Sequence, residues 1–230
     1  MPTPSRIMPE ERHYLRELAK RQLDYANHPI MAERTALWYR HNALQGERPL
    51  IVMEMDTFEG DMLPTPRCTS PAAIQIERNL LRHIVNYEEI GDDKVVPATY
   101  TVYWDIDIDE FGIEIPTEHG VDASGRTVGY HWQHPIRNLR EDFQRLKPAT
   151  FSVDREATFT WKSFVEDILG DILPVEIKNA SLRWHATPCA KIVQLMGLEA
   201  MMIAMIDEPD AMHALFAYLR DSILGFAKWQ

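Results

Sequence analysis

The chain has 230 residues, of which 45% are hydrophobic and 26% are charged, a composition typical of a globular protein with a buried core. Its formal net charge is −11, and residues 49–125 hold 16 acidic but only 4 basic side chains. An acidic surface repels phosphate backbones and anionic lipid headgroups, so we expect neither nucleic acid nor membrane as a partner. We find no apolar run of about 18 residues and no secretory signal, so we expect a cytoplasmic protein.

Two helices are predicted ahead of any strand. Apolar residues recur at helical spacing from Pro9 to about Asn27, and again from Pro29 to near Gly46. Pro29 suits the first turn of the second helix, where its missing N–H costs nothing. We therefore predict an N-terminal helical segment over residues 1–48 and a second region over residues 49–230.

Three segments of the second region are predicted to be strands. Leu50–Asp56 (LIVMEMD) is a short apolar run that closes on acids, as buried parallel strands do. Val95–Ile108 is rich in β-branched and aromatic residues, and Ile172–Ile177 is the third candidate. Short strand-like runs separated by glycine-containing turns predict a hairpin-bearing insertion over about residues 110–150.

Four more helices are predicted from apolar periodicity and from the residues that begin and end helices. They are a helix from Pro71 to Glu89 capped by Ser70, one capped by Asp154 and ended by Gly170, one from Thr187-Pro188 to Met196, and one that begins at Asp207-Glu208-Pro209. Helices that alternate with acid-ended strands indicate a parallel α/β fold.

Two stretches resemble the uroporphyrinogen decarboxylase superfamily, in the branch related to corrinoid methyltransferases. Residues 207–229 (DEPDAMHALFAYLRDSILGFAKW), preceded by KIVQLMGLEAMMIAM, resemble a helix pair of that family. Residues 11–54, from ERHYLREL to LIVME, resemble its N-terminal opening. The resemblance implies a (β/α)8 TIM barrel with its chemistry at the C-terminal ends of the strands. With only about three strands, the chain is expected to form a partial barrel, either truncated or completed by a second polypeptide or a dimer partner.

Acidic residues at predicted strand ends are the candidate catalytic groups. Glu54 and Asp56 follow the first strand, where carboxylates suit acid and base chemistry or a cationic substrate; the alternative is that they cap a turn. Asp105 and Asp107 alternate on the second strand and so share a face, and burial would raise the pKa of each. Their position resembles that of the family's pyrrole-binding aspartate. We take Asp105, Asp107 and Glu54 as catalytic candidates and Asp56 as a substrate contact.

The remaining candidates for substrate binding follow the third strand or lie in the insertion. Arg183, Trp184 and His185 could line the same rim, Arg183 being suited to a carboxylate or phosphate, although an Arg stacked on Trp at the surface fits equally well. His131, in GYHWQHP, is three residues from His134, but two histidines without a third ligand are weak evidence for a metal. The resemblance implies that any zinc ligands lie in the C-terminal half of the barrel, so no metal site is expected here.

These observations lead to three functional hypotheses. The first, drawn from the resemblance, is methyl transfer from a small-molecule donor, with a corrinoid (cobalamin) carried by a partner protein. The second is a non-catalytic half-barrel that serves as a binding or assembly module, for instance as a homo-oligomer. The third is decarboxylation of a tetrapyrrole, a poor match because an acidic middle third is a poor host for an anion.

Overall fold

Helices dominate the fold in the computed structural model, which describes residues 3–123, 125, 127–182 and 185–230. The chain is mixed α/β, with 52% of residues in helices and 13% in strands. The helices are α1 (Pro9–Ala26), α2 (Ile30–Asn42), α3 (Glu59–Met62), α4 (Pro71–Val85), α5 (Leu139–Asp142), α6 (Arg155–Leu169), α7 (Pro188–Met196), α8 (Leu198–Asp207) and α9 (Pro209–Trp229). A π-helical turn (Asn86–Ile90) and a 3-10 turn (Phe143–Arg145) extend α4 and α5.

The described strands form three separate two-stranded sheets and do not close into a barrel. The strands are β1 (Tyr100–Tyr103), β2 (Asp105–Asp109), β3 (Thr117–Val121), β4 (Thr127–Trp132), β5 (Thr150–Asp154) and β6 (Val175–Lys178). β1 pairs in parallel with β6, β2 pairs with β5, and β3 and β4 form an antiparallel hairpin. The mixed α/β class and the hairpin within residues 110–150 are therefore confirmed.

The chain divides into two compact units. Unit 1 comprises Met1–Asp105 and Asp154–Lys178, and unit 2 comprises Ile106–Val153 and Asn179–Gln230. Unit 1 contains the parallel pair β1–β6. In the same unit, α1 packs against α4 and α6. Its core consists of aliphatic side chains from these helices, including Leu15, Ile76, Leu80, Val165 and Ile168. The N-terminal helix thus belongs to the same core as the parallel strands.

Unit 2 is built on α7, α8 and α9. Its core includes Phe111, Ile192, Leu195, Leu215 and Leu219. α7 and α8 are joined by one residue, Gly197, which has a φ of +84° that side-chain-bearing residues rarely adopt. No single helix of the described residues is long and apolar enough to cross a membrane; α7 and α8 would qualify only as a pair, and they are bent by 101°.

Local signals placed α1, α2, α4, α6, α7 and α9 correctly, whereas α8 and the short helices α3 and α5 were not predicted. Ser70 caps α4, since its side chain accepts the N–H of Ala73 at 3.2 Å, and Asp154 caps α6, since its Oδ1 accepts the N–H of Ala157 at 2.8 Å. α4 and its π turn end at Gly91, with a φ of +65°. The second helix ends at Asn42, earlier than the predicted Gly46.

The predicted strand at Leu50–Asp56 is wrong, because this segment has no strand pairing in the structure. Two of its backbone N–H groups instead donate hydrogen bonds to side-chain carboxylates. The N–H of Ile51 donates to Asp93 Oδ2 at 2.9 Å, and the N–H of Met53 donates to Asp92 Oδ2 at 2.7 Å. Side-chain acceptors therefore replace the sheet ladder that the apolar pattern suggested. The predicted strand Val95–Ile108 is likewise shorter and is divided at Trp104 into β1 and β2.

Candidate functional site

A cleft of about 420 Å³ in unit 2 brings together acidic, basic and imidazole side chains. We call it the Glu110 cleft. Its volume is in the range of small-molecule sites. The cleft is lined by Ile108, Asp109, Glu110, Phe111, Ile113, His185, Thr187, Ala190, Lys191 and Gln194.

A tight turn after β2 presents Glu110 to the cleft. Asp109 Oδ1 accepts the backbone N–H of Gly112 at 2.7 Å, and Gly112 has a φ of +64°. A Cβ at Gly112 would also lie 2.5 Å from Lys147 Cβ, so only glycine fits here. The next side chain, Phe111, is 6% exposed and anchors the turn in the core of unit 2. Glu110 is thereby held on a turn fixed on both sides.

Two nitrogen-bearing side chains converge on one oxygen of Glu110. Lys191 Nζ forms an ion pair with Glu110 Oε1, and His185 Nδ1 lies 3.3 Å from the same oxygen. Lys191 is only 7% exposed, which is unusual for a lysine, and buried charges of this kind are normally paired. The three residues come from the turn after β2, from the segment before α7 and from α7 itself. We refer to them as the Glu110 triad.

The helix α9 supports the triad from behind. The Tyr218 hydroxyl lies 2.9 Å from the carbonyl oxygen of Glu110 and also contacts the carbonyl oxygen of Lys147. Burial, and then the negative charges of Asp109 and Glu110, raise the pKa of Tyr218 to about 12, so it stays a neutral donor. The His185 ring contacts the ring of Phe226, with centroids 4.6 Å apart. These contacts fix the backbone of Glu110 and the plane of the imidazole.

The chemistry available to the triad follows from its groups. A carboxylate on Nδ1 orients an imidazole and favours the tautomer in which Nδ1 carries the proton, which leaves proton exchange with a ligand to Nε2. The Lys191 ammonium is paired with Glu110 and offsets one of the two carboxylates, Asp109 and Glu110, that line the cleft. The cleft thus places an acid–base group beside a paired carboxylate and ammonium, a setting suited to a small polar ligand.

A larger groove of about 740 Å³ runs along α1 in unit 1, lined by Pro9, Glu10, His13, Tyr14, Glu17, Leu18, Arg21 and Arg67. Its charged groups are engaged in structural contacts. Arg21 pairs with Glu88 at 2.5 Å, Glu17 pairs with Lys20 at 2.7 Å, and Arg67 lies over the Tyr14 ring at 4.2 Å. Because these side chains do not converge on a common point, we favour the Glu110 cleft as the functional site.

Glu54 and Asp56 lie in a loop of unit 1 rather than at a strand end. Glu54 closes the turn that follows it, accepting the Thr57 hydroxyl at 2.6 Å and the Thr57 N–H at 3.2 Å. The hydrogen bond from the Thr57 hydroxyl, the largest cause, lowers the pKa of Glu54. Asp56 forms an ion pair with Arg82 at 2.7 Å. These contacts match the turn-capping alternative for Glu54.

The strand carboxylates are less enclosed than a buried acid pair would be. Asp107 is exposed, and Asp105 is half-buried at the start of β2. The N–H of Asp105 donates to the buried Thr158 hydroxyl at 3.0 Å, which ties the strand to α6. Neither residue lines the Glu110 cleft, although Ile108 and Asp109 of the same strand do.

Among the remaining candidates that the structure describes, only His185 lines the Glu110 cleft. His131 is exposed on β4, where its ring meets that of His134 edge-on with centroids 5.6 Å apart. Arg183 and Trp184 lie outside the described residues. Within the described part of the chain, no group of three His, Cys, Asp or Glu side chains could hold a metal ion.

Glu110 and Lys191 were missed by sequence reasoning. Glu110 closes the acid run DIDIDE, of which only the earlier acids were considered. Lys191 is the one charged residue in the apolar helix PCAKIVQLM, and a lone charge in such a helix signals a buried partner.

The chain was compared with protein-family models, with curated proteins and with solved structures. No protein-family model, no curated protein and no solved structure matches the chain. We therefore infer the function from the geometry of the Glu110 cleft and from the resemblance of residues 11–54 and 191–229.

Proposed function

We propose that the protein binds a small, polar molecule in the Glu110 cleft and exchanges a proton with it. The observation that supports this most directly is the meeting of Lys191 Nζ and His185 Nδ1 at one oxygen of Glu110. A buried lysine and an imidazole on a shared carboxylate are more than packing requires, since aliphatic residues would fill the same space without the cost of desolvating charges.

Each member of the triad has a distinct role in this proposal. Glu110 orients the imidazole of His185, so that Nε2 gives a proton to, or takes one from, an oxygen or nitrogen atom of the ligand. Lys191 balances one of the two negative charges, Asp109 and Glu110, that line the cleft. Asp109 and Gly112 hold the turn that carries Glu110.

We further propose methyl transfer as the reaction that this proton exchange serves. The basis is the resemblance of residues 11–54 and 191–229 to the corrinoid methyltransferase branch of the uroporphyrinogen decarboxylase superfamily. A corrinoid carried by a partner protein would supply the methyl-accepting chemistry. The volume of the cleft, about 420 Å³, suits the small methyl donor and is too small for a corrinoid ring. Loss of the methyl group would leave its bonding electron pair on the donor's oxygen or nitrogen atom. His185, carrying protons on both ring nitrogens, would give the Nε2 proton to that atom and would recover a proton from solvent.

The partial TIM barrel remains part of this proposal. It is supported by the parallel pairing of β1 with β6, in which Tyr100 lies opposite Val175, and by the packing of α6 against both strands. A helix laid on a parallel strand pair is the repeating unit of such barrels. A second polypeptide or a second copy would supply the remaining strands.

A methyl-transfer assay with a purified corrinoid protein and a panel of small methylated ethers and amines tests the proposal. We expect Glu110→Gln to lower the transfer rate at least about 100-fold, the usual size of an acid–base contribution. Glu114→Gln removes an exposed carboxylate four residues away and serves as the control, for which we expect the wild-type rate.

Three results would count against parts of the proposal. An unchanged rate in Glu110→Gln would remove the triad from the reaction. Loss of transfer in Asp107→Asn together with an active Glu110→Gln would return the site to β2. Absence of transfer with every substrate, while calorimetry detects binding that Glu110→Gln weakens, would retain the site and reject methyl transfer.

A further inference from the structure

The helix α8 exposes large aliphatic side chains to an extent that its neighbours do not. Five residues of α8 are at least half exposed: Leu198 (57%), Met202 (59%), Ile203 (51%), Met205 (54%) and Ile206 (81%). Positions 198, 202, 205 and 206 follow the spacing of a single helical face, and Ile203 adjoins it. Only Met201 and Ala204 of α8 are buried, in the core of unit 2. We call the exposed side the α8 face.

The area of the α8 face is large for a surface that stays in water. Five aliphatic side chains exposed to this degree present on the order of 500 Å² of apolar surface, the size of the largest patches on monomeric proteins and often a sign of function. Two such faces in contact would bury about 1,000 Å² in total, close to the threshold for a specific interface. Neighbouring side chains would add to this area.

The distribution of charge indicates which partner would cover the α8 face. The chain carries a net charge of −11, but α8 carries only Glu199 and Asp207, one near each end. The middle of the face is uncharged, so it offers nothing to a basic or an acidic partner. Two copies of an acidic chain repel each other over most of their surface, and an uncharged face is where they can approach most closely.

From these observations we infer that the α8 face is the contact between two copies of this chain. A two-fold axis near Met202, in the middle of α8, would place the same stripe on both sides, as closed dimers require. Helices that pack ridges into grooves cross at about 50°, so the ends splay and the acids Glu199 and Asp207 of the two copies stay apart and solvated. Met202 and Met205 adapt their shape to such a contact more readily than branched residues. This inference rests on α8 and not on the Glu110 cleft.

Light scattering coupled to size-exclusion chromatography tests the inference on the full chain. We expect the wild type to elute at twice the monomer mass of 26.7 kDa at micromolar concentration. Ile206→Glu places a charge at the most exposed residue of the face (81%), and we expect it to raise the dimer dissociation constant at least about 100-fold. Val128→Glu is the matched control, because Val128 is an exposed aliphatic residue (60%) on β4, away from α8; this variant should stay dimeric.

Each remaining outcome has a definite meaning. A wild type that is monomeric up to about 100 μM, well above the dissociation constants of stable complexes, would overturn the inference. A dimer that persists in Ile206→Glu would show that copies associate through another surface and would also overturn it. Thermal unfolding of both variants must match the wild type, and Met202→Glu replaces Ile206→Glu if that variant does not fold.

Discussion

Glu77 offers a sharp test of how unit 1 is held together. This carboxylate of α4 is fully buried and accepts the backbone N–H groups of Arg67 and Cys68, each at 2.9 Å. Burial, followed by the charge of Glu77, raises the pKa of Tyr14 to about 12. Burial and then the same charge raise the pKa of the Cys68 thiol, also to about 12. The Glu77 side chain thus ties the loop before α4 to that helix.

The magnitude follows from these contacts. Glu77→Ala leaves the buried N–H of Cys68 and the part-buried N–H of Arg67 without an acceptor. A buried group costs about 1–3 kcal/mol and a part-buried one costs less, so we expect the free energy of unfolding to fall by about 3 kcal/mol. Glu77→Gln keeps one acceptor oxygen but sets an NH₂ group against the other N–H, and we expect a loss of about 2 kcal/mol. Losses of this size are a large share of a typical domain's stability.

Urea unfolding followed by circular dichroism measures these losses. Glu89→Gln, an exposed carboxylate of the π turn after α4, serves as the control and should change the unfolding free energy by less than about 0.5 kcal/mol. If Glu77→Gln unfolded within about 0.5 kcal/mol of the wild type, the buried carboxylate would not be the anchor that its contacts indicate.

Two further predictions concern stability. Burial, and then the positive charges of Lys94 and Arg82, lower the pKa of His83 to about 3, so the unfolded state binds the proton more readily; stability is full above the ordinary pKa of about 6.5 and falls as the pH drops from there towards 3. We expect urea unfolding to show a loss approaching about 1.4 kcal/mol per pH unit below pH 6, reduced in His83→Gln but not in His13→Gln, an exposed control; an equal slope in both would refute the assignment. Gly197→Ala should cost about 1–3 kcal/mol in thermal unfolding, because Gly197 has a φ of +84° and a Cβ would lie 3.2 Å from the His134 ring. Gly60→Ala, where a Cβ meets nothing within 4 Å, should unfold like the wild type, and equal effects at the two positions would refute the strain argument.

The helices could be predicted because their signals are local. The caps at Ser70 and Asp154 are contacts with the N–H three residues later, and apolar periodicity marks the buried side of each long helix. The strand predicted at Leu50–Asp56 failed for the opposite reason. Its backbone donors are taken by Asp92 and Asp93, about 40 residues away, and a local pattern cannot register such competition.

Of the Glu110 triad, only His185 was predicted from the sequence. His185 was selected because it follows a predicted strand, and the structure finds it beside Glu110 and Lys191. Glu110 and Lys191 are 81 positions apart, so their pairing depends on how unit 2 packs and is not visible in one sequence. Asp105 and Asp107 drew attention by their alternation, but alternation does not determine burial, and Asp107 is exposed rather than part of a buried acid pair.

We propose the Glu110 cleft as the ligand site, and backbone amide mapping by NMR tests this most directly. Titration of the ¹⁵N-labelled protein with small methylated ethers and amines should shift the amide signals of residues 108–113 and 185–194. Lys191→Met, which removes the ion-pair partner of Glu110, should abolish those shifts while leaving the rest of the spectrum in place. Shifts confined to the loop around Glu54 and Asp56, or to the groove along α1, would contradict the claim and move the site to unit 1.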